Sequence, residues 1–250
     1  MPIGAGFAIA LVALSALVLT GVAGAEKPIT VQAGNLVLTF DGGFTPKALS
    51  KTKLTPIEFN VSGDIKTVDG KHPPALNEFV LETDKNGSVD VTGVPTCDPH
   101  KIQSTDTKHA EAACKAAIIG SGHTTAGIEF DEQPEIFAKS KIIAFNGGVK
   151  GGVTTLYIHA YLTVPTPAAI VSTVKIKKIH KGRYGTLSVT SIPKIAGGSG
   201  SVTHFDLTID KQDVLKAKCP DGKLQARGEA VFSDGTRAKA EVVRLCTPKA

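Results

Sequence analysis

The chain has no tryptophan, one methionine and three tyrosines in 250 residues. Carbohydrate-binding sheets often stack sugars on exposed indoles, so the lack of Trp argues against a saccharide site of that design. With so few aromatics there is also no basic cluster interleaved with rings on which bases could stack, and nucleic acid is not an expected partner. No G-x-S-x-G elbow is present: Gly197-Gly198-Ser199-Gly200-Ser201 lacks the final glycine and has no helical pattern after it. Gly147-Gly148-Val149-Lys150-Gly151-Gly152 likewise has no following helix to bind a phosphate, and no cofactor is called for. What remains is 42% hydrophobic and 20% charged, which excludes a disordered tail and a coiled coil.

Residues 1–25 carry no charged side chain, are apolar from Phe7 to Leu19 apart from Ser15, and end in Ala23-Gly24-Ala25 before Glu26. That is the pattern of a cleaved export signal, although the segment has no Lys or Arg ahead of its apolar run; retention as an anchor is the alternative. No later apolar run approaches a membrane span, so residues 26–250 are read as a single exported domain, secreted or held at the envelope. The net charge of +5 would suit an anionic cell-envelope polymer, with a partner protein as the other option.

The four cysteines are Cys97, Cys114, Cys219 and Cys246, an even number in a chain read as exported, with no CxxC pair. Disulfides are expected rather than zinc. Of three connectivities, Cys97 with Cys114 and Cys219 with Cys246 closes the shortest loops, each worth roughly 3–4 kcal/mol on the chain-entropy model.

From Asn35 to Cys246 the chain alternates apolar and polar residues, is rich in Val, Ile and Thr, and is broken by Gly, Pro, Asn and Asp. About eleven or twelve short strands follow from that pattern. Without alternating helices they predict an antiparallel β-sandwich, jelly-roll or immunoglobulin-like. Two hairpins can be given a register. Lys85-Asn86-Gly87 would set Leu81 opposite Val91 and Thr83 opposite Val89; Ser233-Asp234-Gly235 would set Ala230 opposite Ala238 and Phe232 opposite Thr236. Gly87 and Gly235 should then be left-handed. One helix is expected at about 107–119, capped by Asp106 and stopped at Gly120, and a Cys97–Cys114 bridge would make residues 94–120 a lid or brace. The glycine-rich stretches 146–152 and 197–200 are the places for a domain boundary or mobility.

Period two divides Val153 to Val164 into an apolar set, Leu156, Ile158, Ala160 and Leu162, and a second set holding Tyr157, His159 and Tyr161. The first set reads as core. The second could form a ligand-reading surface if the sheet is concave there, or simply lie beneath another layer. His204 and Asp206 share the other side of Val202–Leu207 and, with His159, could supply three metal ligands if their strands were neighbours. Lys175, Lys177, Lys178, His180, Lys181 and Arg183 could hold an anionic polymer, but lysines on strands more often guard an edge.

The segments His72-Pro73-Pro74-Ala75-Leu76, 145–156, Ile158-His159-Ala160-Tyr161, 195–200 and Cys219-Pro220-Asp221-Gly222 give the chain its resemblance to a group of secreted proteins of high-GC Gram-positive soil bacteria. The resemblance implies no activity, cofactor or catalytic residue. The expectation is a non-enzymatic exported protein with a binding or structural role at the envelope; a metal-dependent or hydrolytic enzyme is the alternative.

Overall fold

The computed structural model describes residues 27–249, so the expected export signal lies outside the described residues. β1 (Ile29–Ala33) and β2 (Leu36–Thr45) form a hairpin, followed by the short β3 (Ala48–Ser50) and β4 (Thr55–Pro56). β5 (Glu58–Thr67) folds back on β2. β6 (Leu76–Asp84) and β7 (Gly87–Val89) precede an insertion carrying α1 (Thr107–Ala113). β8 (Ile118–Ile128), β9 (Ile136–Lys150), β10 (Val153–Leu162), β11 (Ala168–Lys181) and β12 (Tyr184–Ser191) run up and down as a meander. The chain ends with β13 (Gly200–Ile209), β14 (Leu215–Ala217), β15 (Lys223–Phe232), β16 (Arg237–Leu245) and β17 (Thr247–Lys249).

Mainly β and antiparallel is what the alternation predicted, but the twelve long strands do not divide into two sheets. They form one sheet in the order β1-β2-β5-β13-β8-β9-β10-β11-β12-β6-β15-β16. Its two edges, β1 and β16, come back against each other without pairing, so the sheet is a nearly closed barrel. The sandwich expectation is corrected on this point. A barrel and a sandwich share the same inside–outside alternation, and only the order of strands, set by long-range pairing, separates them.

The seam between the edges is sealed by side chains. Leu36, Leu38 and Phe40 of β2 pack with Ala238 and Ala240 of β16, whose small side chains permit close approach, and Ile29, Val31 and Ala33 cover the join. Arg244 of β16 reaches across to β2. Its Nη2 donates to Asp41 Oδ1 at 2.6 Å and its Nε donates to the Gly42 carbonyl, so one buried guanidinium ties the first part of the chain to the last.

One end of the barrel is closed by the small sheet β4-β14-β7, backed by Val91, Val214 and the Cys219–Cys246 bridge. The other is closed by Ile195 and Phe130, packed on Ala126, Ile128 and Leu162. Ile195 sits over Gly200, where a Cβ would lie 2.5 Å from its Cγ2, and the turn between them holds Gly197 and Gly198 at φ 70° and 116°.

Both disulfides pair as expected, Cys97–Cys114 and Cys219–Cys246, with no free cysteine among the described residues. Two bridges fit an oxidising, extracytoplasmic compartment. No helix of the described residues is long and apolar enough to cross a membrane. Asp106 caps α1, accepting from the His109 amide at 2.9 Å, but the helix ends at Ala113, passes through a 3-10 turn, and Gly120 lies inside β8 instead of stopping it.

The second hairpin has the expected register, with Ala230 opposite Ala238, the Phe232 amide donating to the Thr236 carbonyl at 3.0 Å and Gly235 at φ 87°. The first does not form. β6 is already paired on both sides, by β12 and β15, so Leu81 faces Ser188 and Gly228 instead of Val91. Asp84 takes both the backbone amide and the side-chain amide of Asn86 at 2.9 Å, and the chain leaves the sheet to pair β7 with β14. Gly87 is accordingly not left-handed. The lysines of β11 do not guard an edge either, because β11 lies between β10 and β12; Lys175 and Lys177 point outward from the wall, and Lys178, on the inward side of the alternation near the end of the strand, is exposed as well.

Candidate functional site

The set Leu156, Ile158, Ala160 and Leu162, read from sequence as core, does face the barrel interior, where Leu156, Ala160 and Leu162 are buried, and it also borders a lumen. The barrel encloses a cavity of about 360 Å³ whose wall is almost wholly apolar. That volume lies within the range of roughly 300–1,000 Å³ usual for small-molecule sites. Twelve strands sit between barrels of about eight, which side chains nearly fill, and those of about sixteen, which leave a water channel. Ile158, Phe79, Phe205 and Leu207 line the cavity yet stay partly accessible, unlike the buried Val91, Val214 and Ile195 at its ends.

Three phenylalanines meet across the interior, Phe79 of β6 reaching Phe40 of β2 and Phe205 of β13. Phe40 and Phe79 have centroids 5.8 Å apart, and Phe79 and Phe205 meet edge to face at 6.0 Å. The strand between β2 and β13 makes room for them with Gly63, opposite both Phe40 and Phe205; a Cβ there would lie 2.5 Å from Phe205 Cε1. Gly63→Val is therefore expected to displace Phe205 and destabilise the fold by about 1–3 kcal/mol, as overpacking does. Chemical denaturation checks this, and an unchanged midpoint would contradict it.

The wall formed by β10, β11 and β12 mixes aliphatic side chains with hydroxyls. Thr186 and Thr83 share a hydrogen bond, whereas Ser172, Ser188 and Thr190 have no side-chain partner among the described residues. The charged residues of the wall, Asp41, Asp84, Lys216 and Arg244, gather at the end closed by β4-β14-β7, and each is paired: Asp41 with Arg244, Asp84 with Arg183 at 2.5 Å, Lys216 with Asp213 at 3.4 Å. This arrangement can hold an apolar molecule.

The residues nominated from sequence lie on the outer face, and the structure separates them. The 94–120 insertion crosses β9 and β10 as a brace, with Cys97, Ile102, Ala110 and Cys114 packed on Ile143, Phe145 and Tyr157. His159 is fully buried beneath it, and its Nε2 donates to the Thr105 carbonyl at 2.9 Å while Nδ1 has no partner. Tyr157 borders an outer cleft with Pro99, Gln103, Thr173 and Lys194, and Tyr161 is half-buried farther along β10. The three do not form one open surface.

His159 and His204 cannot share a metal. β10 and β13 are separated by β8 and β9, three strand spacings or roughly 14 Å, against ligand bonds near 2 Å. His204 instead lies 2.8 Å from Asp64, with Asp206 3.6 Å away, and His123 of the neighbouring strand is 3.5 Å from Asp206. His123 is the neighbour that sequence spacing could not supply. No group of three or more His, Cys, Asp or Glu among the described residues is arranged to hold a metal ion.

Burial lowers the basicity of His159, against the opposing pull of the Thr105 carbonyl, Asp106 and Glu111. In the unfolded chain a histidine takes up its proton near pH 6.5. The folded state takes it up only at lower pH, so His159 costs no stability above about pH 6.5 and progressively more below it, until the folded imidazole also protonates. Wild type is expected to lose more stability than His159→Gln between pH 7 and 5 in denaturant titrations; parallel losses would contradict the burial.

A second ionic network ties the outer wall at β6. Glu82 accepts from Arg227 Nε at 2.8 Å and lies 3.4 Å from Lys181, and although burial pushes its carboxyl up, these two cations hold it below the usual value. The Arg227 guanidinium stacks 4.8 Å from the Tyr184 ring, whose hydroxyl donates to Glu241 at 2.8 Å. Burial, together with that carboxylate, raises the Tyr184 phenol to about 12. The group is structural: it joins β12, β6, β15 and β16 from outside.

The chain matches no family model, no curated protein and no solved structure. The functional reading therefore rests on the lumen.

Proposed function

We propose that this chain is an exported, non-enzymatic binding protein of the cell envelope that holds a small, mainly apolar ligand inside its barrel. The observation that carries the reading is the accessible apolar lumen between two plugged ends. Ile158, Phe79, Phe205 and Leu207 pack on their neighbours yet keep part of their surface open to the cavity, and a hydrocarbon guest would bury and contact that surface. The outward pair Lys175 and Lys177 supports a position beside anionic envelope polymers, with the lumen facing away from that contact.

The test is titration with N-phenyl-1-naphthylamine, a dye that fluoresces in apolar surroundings. Wild type is expected to bind it saturably at one site. Ile158→Trp, which fills the lumen from β10, is expected to weaken binding at least about tenfold, the equivalent of about 1.4 kcal/mol. Tyr157→Ala, altered on the opposite face of the same strand, should bind as wild type does. Absence of saturable binding, or equal loss in both variants, would refute the lumen as the site.

A further inference from the structure

We propose, building on the lumen reading, that the ligand is an uncharged molecule with an apolar body and one hydrogen-bonding oxygen, a hydroxyl, carbonyl or ester, seated on the strip Ser172, Thr190 and Ser188. These residues are neighbours across two strands. Thr190 faces Val174 and Ser188 faces Ile176, while Ser172, two residues before Val174 on β11, faces Ile158 of β10. All three point into the cavity by the same alternation that turns Ile158, Val174 and Ile176 inward.

Their hydroxyls are unusual for what they lack. Other hydroxyls of the cavity lining are engaged: Thr186 with Thr83, and Thr124 of β8 donating to the His204 carbonyl at 2.9 Å. Ser172, Ser188 and Thr190 have no side-chain hydrogen bond among the described residues and are only partly buried, so their oxygens remain open to the cavity. A hydroxyl facing an apolar guest loses its water and gains nothing, whereas one facing a guest oxygen keeps its bond. Three such groups on one side would orient a molecule whose oxygen lies against β11 and β12 and whose hydrocarbon lies against Phe40 of β2 and Phe205 of β13, with Phe79 beside Thr190 on the adjacent strand.

The absence of net charge follows from the ionic pairs. Each charged residue on the cavity wall already has an opposite partner, and all stand at one end, away from the hydroxyl strip. An ionised carboxylate or phosphate in the lumen would be buried without a counter-charge, so an ionised fatty acid or phospholipid head is disfavoured relative to its neutral alcohol or ester.

A matched series separates these requirements: butylbenzene, 4-phenylbutan-1-ol, methyl 4-phenylbutyrate and 4-phenylbutyrate, each titrated against bound N-phenyl-1-naphthylamine. The combined variant Ser172→Ala, Ser188→Ala, Thr190→Val is expected to bind the alcohol or the ester about tenfold or more weakly than wild type. Its affinity for butylbenzene should stay within about twofold of wild type or improve, which also shows that the variant folds. The anion should displace the dye least in both proteins. The alcohol and ester arms distinguish a donor from an acceptor group on the natural ligand.

If butylbenzene binds wild type but the substitutions leave the alcohol and ester unchanged, or weaken all neutral ligands alike, the hydroxyl strip is refuted while the lumen reading stands. Tighter binding of the anion than of the neutral compounds refutes it too. If no compound displaces the dye, the lumen reading itself fails. Should the combined variant not fold, the three single substitutions carry the same comparison.

Discussion

Replacing Cys97 and Cys114 together by serine is expected to lower stability by about 3 kcal/mol. The bridge spans 17 residues, and a loop of that size carries close to that value of chain entropy. More than a local loop depends on it. The bridged segment holds α1 and lies over Phe145, Ile143 and His159, all nearly inaccessible, so its release would expose an apolar patch on β9 and β10 and open His159 to water. Urea unfolding followed by far-ultraviolet circular dichroism should show a midpoint lowered by roughly 1–2 M, since slopes of about 1–3 kcal/mol per molar are usual. The lumen lies on the other face of these strands, so dye binding by the folded variant should persist. An unchanged midpoint, or lost binding with the fold intact, would contradict the description of the insertion as an outer brace.

The second large effect is expected at the seam. Arg244→Ala removes the guanidinium that links β16 to Asp41 and Gly42 on β2, where no backbone pairing joins the two edges of the sheet. Loss of one partner from a buried ion pair typically costs about 3–5 kcal/mol. Asp41 is partly exposed and recovers some hydration, so about 2–3 kcal/mol is the expected loss here. Hydrogen exchange gives the more specific readout: amides of β1 and β16, the unpaired edges, should lose protection before those of the β8–β12 meander. Uniform loss across the sheet would mean that the guanidinium acts on global stability and not on the seam. Arg244→Lys keeps the charge but not the forked geometry, and should recover only part of the loss.

How much of this was legible in the sequence depends on the distance over which each feature is decided. Strand positions, the two disulfides, the Asp106 cap and the hairpin at Gly235 are set by neighbours a few residues apart or by short loops, and they appear where periodicity and spacing place them. β1 lies outside the expected strands although its sequence carries the signal, Ile29, Val31 and Ala33 alternating with Thr30 and Gln32. The failed hairpin at Leu81 shows the limit from the other side. The alternation of β6 is as the sequence implies, but β12 and β15, about a hundred residues or more away in sequence, occupy both of its edges.

The site itself was hidden for the same reason. Period two says that Leu156, Ile158 and Ala160 share a face, and it gives no sign of whether that face meets another sheet or surrounds a space. The recurring hydroxyls Thr186, Ser188 and Thr190 on β12 were the available signal, since a packed core has little use for three polar residues in a row on its inner face. Tyr157, His159 and Tyr161 drew notice because of their side-chain chemistry. The structure divides them: one borders a cleft, one is sealed under the brace and one is half-buried.

The central claim is that an apolar guest enters the barrel, and methyl-selective NMR during a butylbenzene titration tests it most directly. The account predicts saturable shifts at the lumen methyls of Leu81, Ile158, Ile170 and Leu207, with Val68 and Val149 on the outer surface unmoved. Shifts confined to outer methyls, or none at ligand saturation, would contradict it.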